Sequence, residues 1–307
     1  MSTEAQQESQ AGGAVSELDE FSNLLKQNFK PRSETAATEV ERAVSTLVKE
    51  ALSDSTVIKE DVLDTIEEMI AKIDSKLTAQ VNEIIHNEDY QKLESAWRGL
   101  HYCVMNSEPD ATMKIKVMNV AKAELEKELR SYPGAKWDQS PLFKKIYESE
   151  FGQLGGQPYG TLIADYHFDH SPADVRLLRD LGKIAAASHA PLISGVAPSL
   201  LNMDTWNELQ NPTDLMSIFE TPEYAGWKSL RDSENSRYVA LTAPRVLARE
   251  PYGQNSLPVE AFNFEEETDG HKGEKYAWMN SCYAMAANVA RAHKEYGWTV
   301  KIRGVQS

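Results

Sequence analysis

Two cysteines in 307 residues, Cys103 and Cys282, are too few and too far apart in sequence for a disulfide framework or a cysteine-built metal centre. No apolar run approaches the ~20 residues of a membrane-spanning helix. The opening MSTEAQQESQAGG has neither the basic nor the hydrophobic region of a secretory signal. The chain is therefore expected in the cytoplasm, with no membrane insertion. Basic residues are also short: 32 Lys and Arg stand against 47 Asp and Glu, for a net charge of −15. A duplex-binding role needs a clustered basic face to overcome that repulsion, and the sequence has none, so nucleic acid is excluded as a partner. Gly152, Gly155 and Gly156 superficially suggest a phosphate loop. They precede a strand, however, and no Gly-Lys-Ser/Thr follows. Ser194 lies before Gly195 but outside any Gly-x-Ser-x-Gly nucleophile pattern. No internal repeat is present.

What the sequence does contain is organised around Tyr159 to Ala197. Thr161 to Tyr166 is a short apolar run bounded by Gly160 and a polar cluster, the pattern of a buried strand. Ser171 and Pro172 then mark a helix start, as N-cap and first-turn proline. Val175, Leu178, Leu181 and Ile184 follow at helical spacing, and after Pro191 the run Leu192 to Val196 is a second strand. Strand, amphipathic helix and strand within about forty residues predict a βαβ crossover and two parallel strands, with helices covering both faces.

Upstream, residues 1–14 lack bulky apolar groups and read as a disordered tail. Leu18, Phe21, Leu24, Leu25 and Phe29 make a short amphipathic helix between that tail and the break at KPRSE. Such a helix either folds back on its own core or docks its Leu/Phe face in a partner's groove. Thr35 to Leu52 is a second helix. Val57 to Ile85 is a third, whose Val62, Ile66, Met69, Ile73, Leu77, Val81 and Ile84 form a heptad-like seam. One helix cannot bury that seam alone, so it pairs with the second helix or with another chain. Asn87 to Val104 continues helically, with Tyr90, Leu93, Trp97, Leu100 and Val104 on one face. Met113 to Val120 alternates as a strand with one half-wet face. Further helices are expected at Lys122–Arg130, Leu142–Phe151, Pro198–Leu209 and Pro222–Asp232, with a strand near Tyr238–Leu241, a polar loop at 250–274 and an Ala-rich helix at Tyr276–Tyr296. The fold class is α/β: a helical N-terminal region, then a mixed, largely parallel sheet flanked by helices.

His167, Asp169 and His170 form the most catalytic-looking cluster, just past the carboxyl end of a parallel strand, where open α/β sheets bind ligands. A metal- or His-dependent enzyme with its site at the end of strand 161–166 is the alternative they raise. No third or fourth ligand stands at a recognisable spacing, and Asp169 is better explained as a polar group at a helix start. No catalytic, cofactor or metal residue is assigned.

Three strings carry more than composition does: YQKLESAWRGLHYCV (Tyr90–Val104), the stretch Tyr159–Leu201, and IFETPEYAGWKSLRDSENSRYVALTAPRVLAREPYG (Ile218–Gly253). They resemble the large subunit of the type VI secretion contractile sheath, the VipB/EvpB/TssC family, and the resemblance runs from about Leu18 to the last residue. It implies a contractile tail-sheath-like fold and a structural role without catalysis. The implied partners are a small sheath subunit, other sheath heterodimers, an inner tube of hexameric rings and a AAA+ disassembly ATPase. The resemblance places the ATPase contact on Leu18, Phe21, Leu24, Leu25 and Phe29. It places the small-subunit interface on the helices at 35–52 and 57–86, with Val62, Ile66, Met69, Ile73, Leu77 and Val81 in the seam. The implied domains are a tail at 1–14, a partner-binding helix and linker at 15–33, a helical hairpin region at 34–88 and an α/β sheath domain at 89–307. The family continues beyond YGWTVKIRGVQS, so this chain is expected to lack the C-terminal part that completes the sheet.

Overall fold

A computed structural model describes residues 62–110, 112–210 and 215–298, with Thr38, Arg42 and Ile302; for 62–69 only the helical backbone is described. The amphipathic helix around Leu18–Phe29 lies outside the described residues, and of the helix 35–52 only Thr38 and Arg42 are described, both helical. The chain divides into two compact units, one reaching Ile84 and including Tyr252–Glu266, the other made of Ile85–Pro251 and Glu267–Ser307.

The first unit is built on helix α1 (Val62–Ile85). The segment Tyr252–Glu266, part of the expected polar loop, is tied along it. The Asn82 amide donates to the Glu265 carbonyl at 3.1 Å, and the Asn263 N–H donates to Asp74 Oδ2 at 3.4 Å. The segment is closed on itself by the Tyr252 and Glu266 backbones and by the Tyr252 N–H donating to Glu266 Oε2 at 2.8 Å.

The second unit holds the sheet. Helix α2 (Glu88–Ser107) is a separate element and not a continuation of α1: Asn87 is its N-cap, with Oδ1 accepting from the Asp89 and Tyr90 N–H groups. Asn at this position satisfies orphan donors that a continuing helix would not have, which is why the chain breaks there. Then come α3 (Lys122–Arg130) and α4 (Pro141–Phe143), which runs on as a π turn at Lys144–Glu148 and stops short of the expected Phe151. Strand β1 (Leu162–Phe168), helix α5 (Pro172–Ala187) and strand β2 (Leu192–Val196) form the anticipated crossover, and Ser171 Oγ caps α5 at 3.3 Å from the Asp174 N–H. Two 3₁₀ turns, Pro198–Leu201 and Trp206–Gln210, replace the continuous helix expected at 198–209, and α6 (Leu215–Ile218) and α7 (Ala225–Arg231) follow.

Strand β3 (Val239–Thr242) completes a three-stranded sheet in the order β1-β2-β3, with every pairing parallel. The antiparallel pairing is separate: β4 (Val246–Leu247) and β5 (Trp278–Met279) form their own ladder. That short strand takes the start of the expected helix 276–296, which begins instead at Ser281 as α8 (Ser281–Tyr296).

Every residue of β2 is buried, as a central strand covered on both faces must be. Helix α5 covers one face with Val175, Leu178, Leu181 and Ile184, packed with Leu125 and Leu129 of α3 and Leu230 of α7. Helix α8 covers the other face, and α2 packs outside α8. The expected strand at Met113–Val120 does not form: the stretch has neither helix nor ladder, and Ile115, Val117 and Met118 are exposed. Alternation favours a strand only where a neighbour supplies hydrogen bonds, and no described strand does so here.

Candidate assembly surfaces and the strand-end cluster

The strand-end residues are arranged as a helix start. Asp169 Oδ1 accepts from the Ser171 N–H at 2.8 Å, and the Asp169 N–H donates to Asp174 Oδ2 at 2.9 Å. Burial opposes ionisation of Asp169, but the hydrogen bonds from Ser171 outweigh it and hold the carboxyl below its ordinary range. Lys122 ties the corner together: its ammonium lies 2.6 Å from Asp174 Oδ1 and 2.7 Å from the His167 carbonyl, with the Phe168 ring below it at 4.5 Å. His170 stacks on Tyr224 with ring centroids 4.3 Å apart. His167 instead borders a small recess with Arg245, Asn280 and Ser281. No group of three or more His, Cys, Asp or Glu with metal-holding geometry occurs among the described residues. Asp169, Ser171, Asp174 and Lys122 together end β1 and start α5, and the two imidazoles stand apart from that network.

Sequence reading missed a polar lock one layer deeper. Strand β1 bulges between Ala164 and His167, and a bulge leaves backbone groups unpaired. Buried Ser194 donates toward both the Ala164 and Tyr166 carbonyls, at 2.8 and 3.0 Å, and Asn280 Nδ2 donates to the Tyr166 carbonyl at 2.9 Å. Asn280 also caps α8, its Oδ1 accepting from the Cys282 N–H at 3.0 Å. Tyr283, one turn on, reaches Asp165 Oδ2 at 3.0 Å. Burial pushes the Tyr166 phenol up to about 12 while its hydroxyl donates to the Val120 carbonyl at 2.6 Å. Burial likewise raises the thiols of Cys103 and Cys282, which stay protonated and inert at neutral pH. The only outward signal for this lock was Ser-Gly inside an apolar run. A small residue in a strand interior marks close approach by another group.

The apolar surfaces lie on the helices. On α1, Ile73, Leu77 and Val81 of the predicted seam are half-buried, while the side chains of Val62, Ile66 and Met69 lie outside the described residues. Ile70 and Ile84, 53% and 58% exposed, complete a seven-residue spacing through Leu77, and Ile70 stands outside the seam expected from the sequence. A shallow groove of 380 Å³ runs beside Ile70 between Asp74, Thr78, Asn263 and Glu265. On α2 the aromatic stripe faces outward: Leu93 is 58% and Trp97 64% exposed. The packed side of that helix is the line Gly99, Cys103 and Ser107. Period alone does not tell which face packs. The small residues on this line were the available signal, because they let a neighbouring helix approach closely, as Tyr283 of α8 does at Gly99. No helix among the described residues is long and apolar enough to cross a membrane.

Comparison with known proteins gives these surfaces a context. Residues 67–307 match the VipB family, described as EvpB/VC_A0108, tail sheath N-terminal domain. The chain is 57% identical over 291 residues to the type VI secretion system sheath protein TssC1 of Pseudomonas aeruginosa strain PAO1. That alignment takes in 95% of this chain and 58% of the relative, so the chain spans little more than half the length of that protein.

Proposed function

This chain belongs to the VipB tail-sheath family, and on that premise we propose that it is the large subunit of a type VI secretion contractile sheath. It pairs with a small sheath subunit through α1, with Ile73, Leu77 and Val81 and the upstream Val62, Ile66 and Met69 in the contact. Heterodimers stack into a tube around an inner tube of hexameric rings in the cytoplasm. Contraction releases free energy stored in the extended lattice, and no bond is broken in the sheath. A AAA+ disassembly ATPase takes the amphipathic segment carrying Leu18, Phe21, Leu24, Leu25 and Phe29. The domain plan follows from this: a tail at 1–14, a docking helix and linker at 15–33, a helical hairpin region at 34–88 and the sheath domain beyond it.

The observation that carries the reading is where the large apolar side chains stand. Ile70 and Ile84 on α1, and Leu93 and Trp97 on α2, face outward along helices and do not gather around a cavity. Large exposed apolar side chains repeated along a helix suit a surface that a partner protein covers. Asp169 at the end of β1 is engaged in starting α5 and His170 in stacking on Tyr224, so no chemical step is assigned to them.

Co-expression with the small sheath subunit, followed by co-purification and negative-stain imaging, tests the proposal. Tubules are the expected product if the chain contains everything needed for the lattice. A soluble stoichiometric complex supports pairing and assigns polymerisation to sequence beyond this chain. Absence of any complex, with the chain folded, overturns the subunit reading.

A further inference from the structure

The stretch Met113–Val120, MKIKVMNV, is held at both ends and unpaired between them. At its start Asp110 Oδ1 accepts from the Thr112 and Met113 N–H groups, at 2.7 and 3.0 Å. At its end the Val120 carbonyl accepts from the Tyr166 hydroxyl, and in the middle Lys116 Nζ lies 2.6 Å from Glu150 Oε1. From Lys114 to Asn119 no backbone N–H or C=O has a hydrogen-bond partner among the described residues. Val117 is 69% exposed, with Ile115 and Met118 also outward. A strand-patterned row of free donors and acceptors is a template for strand addition. Because its ends are already fixed, little further ordering is needed on binding.

Charge decides what fits. Between residues 111 and 123 stand Lys114, Lys116 and Lys122 and no acidic residue, in a chain of net charge −15. Lys116 is matched by Glu150 and Lys122 by Asp174, while Lys114 has no acidic partner among the described residues. A second copy in antiparallel register would bring the lysine faces of two such strands together, and like charges across a ladder destabilise it. The chain's own end is also a poor match: it carries Lys301 and Arg303, and Ile302 stands exposed in a turn.

We propose that Met113–Asn119 is a docking edge for an extended segment of another protein that alternates apolar and acidic residues. The added strand pairs with the backbone of 114–119, and its carboxylates meet Lys114.

The test uses the intact chain and two labelled octapeptides, alternating Glu/Val and alternating Lys/Val, with fluorescence anisotropy for binding and amide hydrogen exchange for location. The Glu/Val peptide is expected to bind and to slow exchange at residues 114–119 by at least about tenfold, with the Lys/Val peptide inactive. Val117→Pro removes a backbone donor and should abolish binding. Lys114→Glu, at an exposed position, should weaken Glu/Val binding about tenfold or more while leaving the thermal midpoint unchanged, so the idea stays testable if the proline variant unfolds. No binding, or equal binding of both peptides, overturns the proposal. So does slow exchange at 114–119 in the free chain: concentration-dependent protection makes a second copy the occupant, and protection lost on deleting residues 299–307 makes it the chain's own end.

Discussion

Asn280 occupies the space that Gly195 leaves empty: a Cβ built on Gly195 would overlap the Asn280 side-chain amide. That amide both caps α8 and supplies a donor to the bulged Tyr166 carbonyl, so one glycine in the central strand sets how closely the covering helix sits. Gly195→Ala should destabilise the chain by about 1–3 kcal/mol through overpacking. Asn280→Ala should cost a similar ~1–2 kcal/mol by removing the α8 cap and one of the two donors, with Ser194, that the Tyr166 carbonyl accepts from. Urea unfolding of both single variants and the double variant checks this, and the double should cost clearly less than the sum, because the clash needs the asparagine.

The second close approach lies between the helices. A Cβ on Gly99 of α2 would overlap the Tyr283 ring of α8, whose hydroxyl is fixed on Asp165. The ring cannot swing away without giving up that bond, so Gly99→Ala should lower stability by about 1–3 kcal/mol despite the better helix propensity of alanine. Gly99→Ala combined with Tyr283→Leu should recover much of the loss in thermal melts. Full cost retained in the double variant would show that the packing of α2 on α8 is not limited by this contact.

Much of this arrangement was legible in the sequence because it is local. Ser171 and Pro172 announced α5, and the short runs on either side announced β1 and β2, since caps and periods are written in neighbouring residues. Non-local facts were not legible. The alternation of Met113–Val120 is a strand pattern, but a ladder needs a partner, and the pattern does not say whether one is present. The stripe Tyr90, Leu93, Trp97 has the helical period of a packed face, yet α2 packs through Gly99, Cys103 and Ser107. The seam of α1 showed its period but not that Tyr252–Glu266 would be tied along the same helix from nearly two hundred residues away.

Acid sensitivity should trace in part to Glu94. Its carboxylate accepts from Arg249 at 2.7 and 3.3 Å and from Arg98 at 2.7 Å, with the Arg249 side chain 3% exposed. Burial opposes ionisation, but these hydrogen bonds outweigh it and hold the carboxyl below its ordinary range. A depressed folded-state value means stability that is present above the unfolded carboxylate value of ~4.3 and lost as pH falls through the folded one. Thermal midpoints from pH 7 to 3 should therefore fall less steeply in Glu94→Gln than in the parent. At neutral pH Arg249→Ala should cost about 3 kcal/mol by leaving a buried carboxylate short of its partner. Parallel acid limbs for the parent and Glu94→Gln would remove this residue from the account.

His170 provides a direct check on the strand end. Its ring stacks on Tyr224, and its buried Nδ1 has no hydrogen-bond partner. Phenylalanine keeps the stack and removes the unpartnered nitrogen, so His170→Phe should be neutral or stabilising by up to about 1 kcal/mol. Calorimetry of the single variant decides it. A loss above about 2 kcal/mol would mean the imidazole makes a polar contact that matters to the fold.

Assembly makes the last prediction. Ile70 and Ile84 are more than half exposed, so charging them should leave the unfolding midpoint of the chain nearly unchanged, within about 0.5 kcal/mol. In a covered interface the same change buries an unpaired carboxylate against apolar side chains, which is far more costly. Ile70→Asp with Ile84→Asp should therefore reduce co-purification with the small sheath subunit at least about tenfold. A matched pair on α2, Leu93→Asp with Trp97→Asp, tells whether that stripe belongs to the same contact. Loss only with the α1 pair supports pairing through the seam, and loss only with the α2 pair moves the subunit contact to α2. Unchanged co-purification in both would mean that neither outward stripe carries the interface.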